Sequence, residues 1–101
     1  MGFLSKLFGV GPKADFQELK KNGALIIDVR NPGEFKRGHI KGSKNIPLQE
    51  LKNKIGGLKK DQIIITCCQS GVRSVSAKNT LKNEGFEVYN GGGWANLNRK
   101  L

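Results

Sequence analysis

The stretch Gln62-Ile-Ile-Ile-Thr-Cys67 runs directly into Cys68-Gln-Ser-Gly-Val-Arg-Ser74, with no linker between them. The first part is β-branched, continuously apolar and flanked by Asp61, which is the pattern of a strand buried on both faces. Residues Cys68 to Val72 read as a turn, and a helix follows from about Arg73 to Glu84, ended by Gly85 as a C′ residue. A doubly buried strand that turns straight into a helix constrains the fold class strongly. Such strands need helices on both faces of their sheet, so the expected architecture is α/β with a mainly parallel sheet.

The flanking sequence alternates in the same way. Asp15-Phe-Gln-Glu18 is a D-x-x-E capping box for a helix that ends near Asn22-Gly23, and Leu25-Ile-Ile-Asp-Val29 follows as a buried strand. Asn31-Pro32-Gly33-Glu34 supplies an N-cap, a proline at N1 and an acid at N3, which starts a short helix stopping at Gly38. Lys44-Asn-Ile46 is a short strand ended by Pro47. Leu48 to about Ile55 reads as a helix with Leu48, Leu51 and Ile55 on one face, closed by Gly56-Gly57. Phe86 to Tyr89 is a last strand, Gly91-Gly92-Gly93 a flexible turn, and Trp94 to Lys100 a final short helix.

With 101 residues the chain holds one domain, expected over 13–101. Residues 1–12 form an apolar N-terminal segment that folds onto the domain or frays, with a membrane-surface helix as the other reading. Ser5 and Lys6 interrupt it, no basic n-region precedes it, and Lys6 occupies the position where a myristoylation signal wants Ser or Thr. No apolar run approaches the roughly 20 residues of a membrane span. Eighteen Lys and Arg against eight Asp and Glu give a formal net charge of +10, which favours anionic partners. The lysines are scattered, one Trp and one Tyr are present, and no clear nucleic-acid motif is found. The two cysteines are adjacent, so they cannot form an ordinary disulfide and do not make a disulfide scaffold. They suit a reducing, cytoplasmic setting. A single His, with no Cys/His spacing, leaves no zinc site.

The chemistry concentrates at the strand-to-helix junction. A tight turn there aims backbone N–H groups at one point, Gly71 supplies the backbone freedom the curl needs, and the helix N-terminus adds about half a positive charge. A cysteine at the start of that nest is expected to ionise below the free-thiol value of about 8.5. Arg73 adds a cation and a forked donor for a bound oxyanion. Successive strand residues point to opposite faces, so only one of Cys67 and Cys68 can face the loop centre. The alternative for either is a small buried hydrophobe.

Cys68-Gln-Ser-Gly-Val-Arg-Ser74 resembles the active-site loop of rhodanese-like sulfurtransferases. Ile27-Asp-Val-Arg30, Glu34-Phe35, Gly38-His-Ile-Lys-Gly42 and Asn45-Ile-Pro47 are similar to further blocks of that family, in the family's order. Leu81, Gly85-Phe86, Gly91-Gly92 and Trp94 are similar to its C-terminal pattern, so the resemblance covers about residues 13 to 96. It implies a central, mainly parallel five-stranded sheet flanked by short helices, and Cys68 as nucleophile. That thiolate would take sulfane sulfur from a small anionic donor such as thiosulfate. It would hold the sulfur as a persulfide cradled by Gln69, Ser70, Gly71, Val72 and Arg73, and pass it to cyanide, a thiol or a thioredoxin-like protein. Asp28, Arg30 and Ser74 would support the loop. No metal or organic cofactor is implied, and nothing demands more than a monomer. Cys67 stands where the family often has an aromatic or aliphatic residue. Gln69 and Val72 stand where members active on thiosulfate often carry basic or polar ones, which leaves the preferred donor open.

Two rivals follow. A cysteine phosphatase or arsenate reductase would use Cys67, which has five residues between it and Arg73, where Cys68 has four. Gly71 lies three after Cys68 and four after Cys67, and Thr66 replaces the histidine of the commoner phosphatase loop, so the spacing favours sulfur transfer. A noncatalytic or sulfur-relay binding module is the other. His39 is expected to have a structural hydrogen-bonding role, although a general base is the alternative. Trp94 is expected in the core or at the lip of a pocket, and Ser43 and Asn45 in turns.

Overall fold

The computed structural model describes residues 14–101; the expectations for the N-terminal segment 1–12 lie outside the described residues. Helix α1 (Phe16–Lys21) starts where the Asp15 side chain accepts the Glu18 amide at 3.1 Å. It leads into strand β1 (Leu25–Asp28). Helix α2 (Pro32–Arg37) carries a full capping box, with Asn31 and Glu34 bonded reciprocally. After β2 (Lys44–Asn45) the chain enters a 3-10 turn (Leu48–Glu50), the single α-turn α3 (Leu51–Lys54) and a second 3-10 turn (Ile55–Gly57). Strand β3 (Ile64–Cys68), helix α4 (Val72–Asn83), strand β4 (Val88–Gly93) and helix α5 (Trp94–Arg99) complete the fold.

The strands form one parallel sheet in the order β2-β1-β3-β4. Among the described residues it has four strands, not the expected five. The fifth strand rested on resemblance alone, and only four stretches here pair. β3 sits in the middle and is buried at every position. Its alternation divides the core. On one face Ile64 and Cys68 pack with Ile27, Val29, Leu51, Ala77 and Leu81, under α3 and α4. On the other Ile65 and Cys67 pack with Ile26, Ile40 and Leu97, flanked by Phe16, Leu19 and Trp94 from α1 and α5. Each fully buried isoleucine of β3 contributes roughly 1.5–3 kcal/mol by leaving water.

Three boundaries differ from the sequence reading for definable reasons. The expected strand at 62–67 is shifted, so Cys68 is its last residue and the turn begins one position later. The 48–55 helix is broken into 3-10, α and 3-10 turns, because Pro47 before it and Gly56-Gly57 after it leave room for one α-turn. The glycine run expected as a flexible turn is instead the end of β4. There Thr66 pairs with Asn90 and Cys68 with Gly93, so three steps of β4 face two of β3 in a bulge.

Candidate active site

The site grows from the carboxyl end of β3, where a parallel sheet presents its ligand-binding crevice. Gly71, at φ +105°, turns the chain into the first residue of α4, a conformation that a β-carbon would strain. The curl brings two amides onto one sulfur: Gly71 N–H donates to Cys68 Sγ at 3.0 Å and Ser74 N–H donates to it at 3.3 Å. Burial raises the Cys68 pKa, but the polar surroundings supplied by Ser74 and by the amides of Ser74, Gly71 and Ser70 outweigh it. The net result is a thiol held below its ordinary value. Cys68 is buried beneath this ring.

Cys67 projects through the other face of the sheet, among Ile26, Ile40, Ile65 and Leu97. Burial first, and then the nearby Asp28 charge, push its thiol up to about 12. The spacing of Cys67 to Arg73 therefore puts no thiol in the loop.

The wall opposite the loop is bare backbone. A β-carbon on Gly93 would lie 2.8 Å from the Gln69 carbonyl oxygen, and one on Gly91 would lie 2.9 Å from the Thr66 oxygen and 2.7 Å from Leu97. Asn90 ties this wall to the helix start: its Oδ1 accepts from the Ser74 hydroxyl at 2.6 Å and from Gly92 N–H at 2.9 Å. Thr66 Oγ1 donates to the Ser74 carbonyl at 2.9 Å from beneath. Ser74 thus joins the loop, Asn90 and Thr66 at one point. Asn90 is a supporting residue that sequence reasoning passed over, because its partner lies sixteen positions away.

The remaining expected residues divide. Gln69 and Ser70 are exposed at the loop rim, and the Val72 side chain is 76% exposed and points away from the nest. Arg73 does not offer a free fork to an oxyanion. Its Nη1 donates to Glu34 Oε1 at 2.7 Å and its Nη2 to Glu34 Oε2 at 3.1 Å. The Arg73 hydrogen bonds, aided by the Asn31 amide, hold the Glu34 carboxyl down at about 2, and Glu34 in turn raises Arg73. Glu34 was legible as a helix-start acid and as part of the Glu34-Phe35 block; its pairing with Arg73 depends on a contact across 39 positions.

Asp28 and Arg30 were expected to brace the loop. They are buried and paired with each other, with Arg30 Nη2 2.7 Å from Asp28 Oδ2. Arg30 also donates to the Gly38 carbonyl at 2.7 Å and lies 4.8 Å from the Trp94 ring centroid. Among the described residues neither bonds to positions 69–73. They build the adjoining wall instead, because Arg30 Nε and Nη2 are turned to the Asp28 carboxylate and the Gly38 carbonyl. Asn45 completes that corner by donating to the carbonyls of Asp28 and Arg30 at 3.0 and 2.9 Å, and Ser43 closes its turn on Ile40. His39 donates from Nδ1 to the Phe35 carbonyl at 2.8 Å and stacks on the Phe35 ring, a structural role. Trp94 serves as both core and lip. It packs against the Cys67 face and, with Arg30, Glu34, Arg37, Gly38 and Gln69, lines an open cleft of about 210 Å³.

No group of residues able to hold a metal occurs among the described residues, and none of their helices is long and apolar enough to cross a membrane.

The rhodanese-like domain family model matches residues 13–100. The uncharacterized protein YqhL of Bacillus subtilis is 46% identical over 68 residues, which are 66% of this chain and 54% of that one. The thiosulfate sulfurtransferase GlpE of Ectopseudomonas mendocina is 40% identical over 74 residues, 72% of this chain and 68% of that one. The crystal structure of reduced Bacillus anthracis CoADR-RHD superposes with a TM-score of 0.76 at 35% identity, covering 95% of this chain and 18% of that one. This chain therefore spans little more than half of the first relative and a small part of the solved structure. A matched family model over nearly the whole chain, on a parallel sheet whose central strand ends in an amide-ringed thiol, places this chain in the rhodanese-like domain family.

Proposed function

We propose that the chain is a sulfurtransferase in which Cys68 accepts sulfane sulfur from an anionic donor such as thiosulfate and hands it to a thiophilic acceptor. The observation that carries this reading is the convergence of the Gly71 and Ser74 amides on Cys68 Sγ at the start of α4. Those donors favour the thiolate, which is the attacking form. The thiolate attacks the outer sulfur of thiosulfate, the S–S bond breaks, and sulfite leaves with the bonding pair. The product is a Cys68 persulfide whose terminal sulfur keeps one negative charge, in reach of the same amides. Cyanide, a thiol or a thioredoxin-like protein then attacks that terminal sulfur and restores the thiolate. Thiolate chemistry of this kind calls on no cofactor, and it suits a reducing, cytoplasmic setting and a monomer.

The test is the thiosulfate-to-cyanide assay on the wild type, Cys68→Ser and Cys67→Ser, with intact mass after thiosulfate alone. The wild type and Cys67→Ser are expected to gain one sulfur, about 32 Da, and to turn over; Cys68→Ser is expected to do neither. Turnover of an aryl phosphate that depends on Cys67 would defeat the reading, and the placement of Cys67 among aliphatic side chains speaks against it.

A sulfur-relay reading draws on two observations, the burial of Cys68 and the engagement of Arg73 by Glu34. A relay would load Cys68 from a persulfidated protein and leave thiosulfate untouched.

A further inference from the structure

The loop itself is uncharged apart from Arg73: Gln69, Ser70, Gly71 and Val72 bring no cation. Arg73 therefore decides how strongly the site attracts an anion, and Glu34 holds both arms of its fork. Glu34 is itself pinned, because Oε1 also accepts the Asn31 amide at 3.1 Å in the capping box of α2. The pair is only partly exposed, at 34% and 24% for the two side chains, so solvent screens it incompletely. Glu34 also lines the cleft beside Gln69. Arg30, the buried cation that lines the cleft, is balanced by Asp28 at 2.7 Å. Arg37 is the one cleft cation without an ion pair among the described residues. Five charged groups thus meet around the entrance, and they sum to about one positive charge, not three.

We propose that Glu34 is a specificity-determining residue that tunes this site away from dianionic donors and toward sulfane sulfur of lower charge. This rests on the sulfur-transfer reading and deepens it. The carboxylate acts at a distance on the charge of the incoming donor while Cys68 does the chemistry. Thiosulfate enters with two negative charges and leaves as sulfite. Methanethiosulfonate replaces one of its oxyanions by a methyl group and enters with one negative charge. Cys68 thiolate attacks its outer sulfur, the S–S bond breaks, methanesulfinate leaves with the pair, and the same persulfide remains. The two donors differ little in size, so a comparison between them isolates charge.

The experiment measures kcat/KM for both donors, with cyanide as acceptor, in the wild type, Glu34→Gln and Glu34→Asp. Coulomb energy scales with the donor's charge, so removing the Glu34 charge is expected to raise kcat/KM for thiosulfate by about 5- to 10-fold. For methanethiosulfonate the expected rise is about the square root of that factor, roughly 2- to 3-fold. The difference should fade as salt is raised toward 1 M, where the Debye length is about 3 Å. Glu34→Asp keeps the charge and is expected to leave the ratio of the two donors within about 2-fold of wild type. Equal changes for both donors, a fall for both, or a ratio that moves as much in Glu34→Asp as in Glu34→Gln would make Glu34 merely structural and overturn the proposal. If Glu34→Gln does not fold, Glu34→Ala removes the same charge and carries the same expectations: a donor ratio shifted toward thiosulfate supports charge selection, and an unshifted ratio overturns it. Failure of the wild type to transfer sulfur from either donor would instead defeat the underlying sulfur-transfer reading.

Discussion

Adjacent thiols with opposite pKa shifts should titrate in different pH ranges, and only one should matter to a reaction. The thiolate is the attacking form, so a lowered Cys68 pKa means that kcat/KM climbs with pH with its midpoint below that of an unperturbed thiol. Ser74→Ala removes the hydroxyl that ties Asn90 to the start of α4 and so steadies the amides around Cys68, and its profile is expected to shift toward higher pH while the fold persists. A profile that stays put would show that the amides do this alone. Glu34 makes a separate prediction for stability. Its folded-state pKa is depressed from 4.5 to about 2, so its bridge to Arg73 stabilises the fold above about pH 4.5, and that contribution is lost as pH falls toward 2. Glu34→Gln lacks the contribution throughout. Its melting temperature should lie below that of the wild type at pH 6, with the gap closing between about pH 5 and 2. A gap that is constant with pH would mean that the ion pair contributes nothing.

At the scale of elements, the junction of β3 with α4 was legible because its signals are local: a β-branched run, a glycine at the turn and a polar start to the helix. The period-two rule also separated Cys67 from Cys68 without any tertiary information. What sequence could not supply were contacts made across elements. Gly91 to Gly93 read as a flexible turn because glycine runs usually are, but here they form a strand end where the neighbours of Gly91 and Gly93 leave no space for a β-carbon. Arg73 read as a free anion ligand because Glu34 belongs to a different helix; the brace role of Arg30 came from the family resemblance, and its bond to the Gly38 carbonyl eight positions on was not legible. Two substitutions test this reading of the walls. Gly93→Ala must displace the Gln69 carbonyl, and it is expected to cost about 1–3 kcal/mol in denaturant unfolding and most of the sulfur-transfer activity. Arg30→Leu strands the buried Asp28 carboxylate and is expected to cost about 3–5 kcal/mol, with a smaller loss once Asp28→Asn is added. If the double variant is no better than the single, the pair is not coupled as the geometry indicates.

Across the whole molecule, a formal charge of +10 sets a long-range field that the near-balanced entrance does not cancel. Association of anionic donors or acidic acceptor proteins should therefore weaken as ionic strength rises, even where the charges at the entrance sum to only about one. Raising salt from about 0.01 to 0.15 M shortens the Debye length from about 30 to 8 Å, and kcat/KM for thiosulfate is expected to drop several-fold over that range. The plane of the sheet has a further effect at this scale. It stands as a partition between the two sulfur atoms, with one in the compartment beneath α4 and the other beneath α5. If Cys68 carries sulfur as proposed, Cys67 on the far side of the sheet could not capture it, close an internal disulfide and vent the cargo as sulfide. Discharge would then wait for a visitor from outside, and the lifetime of the loaded state is expected to follow the concentration of the acceptor.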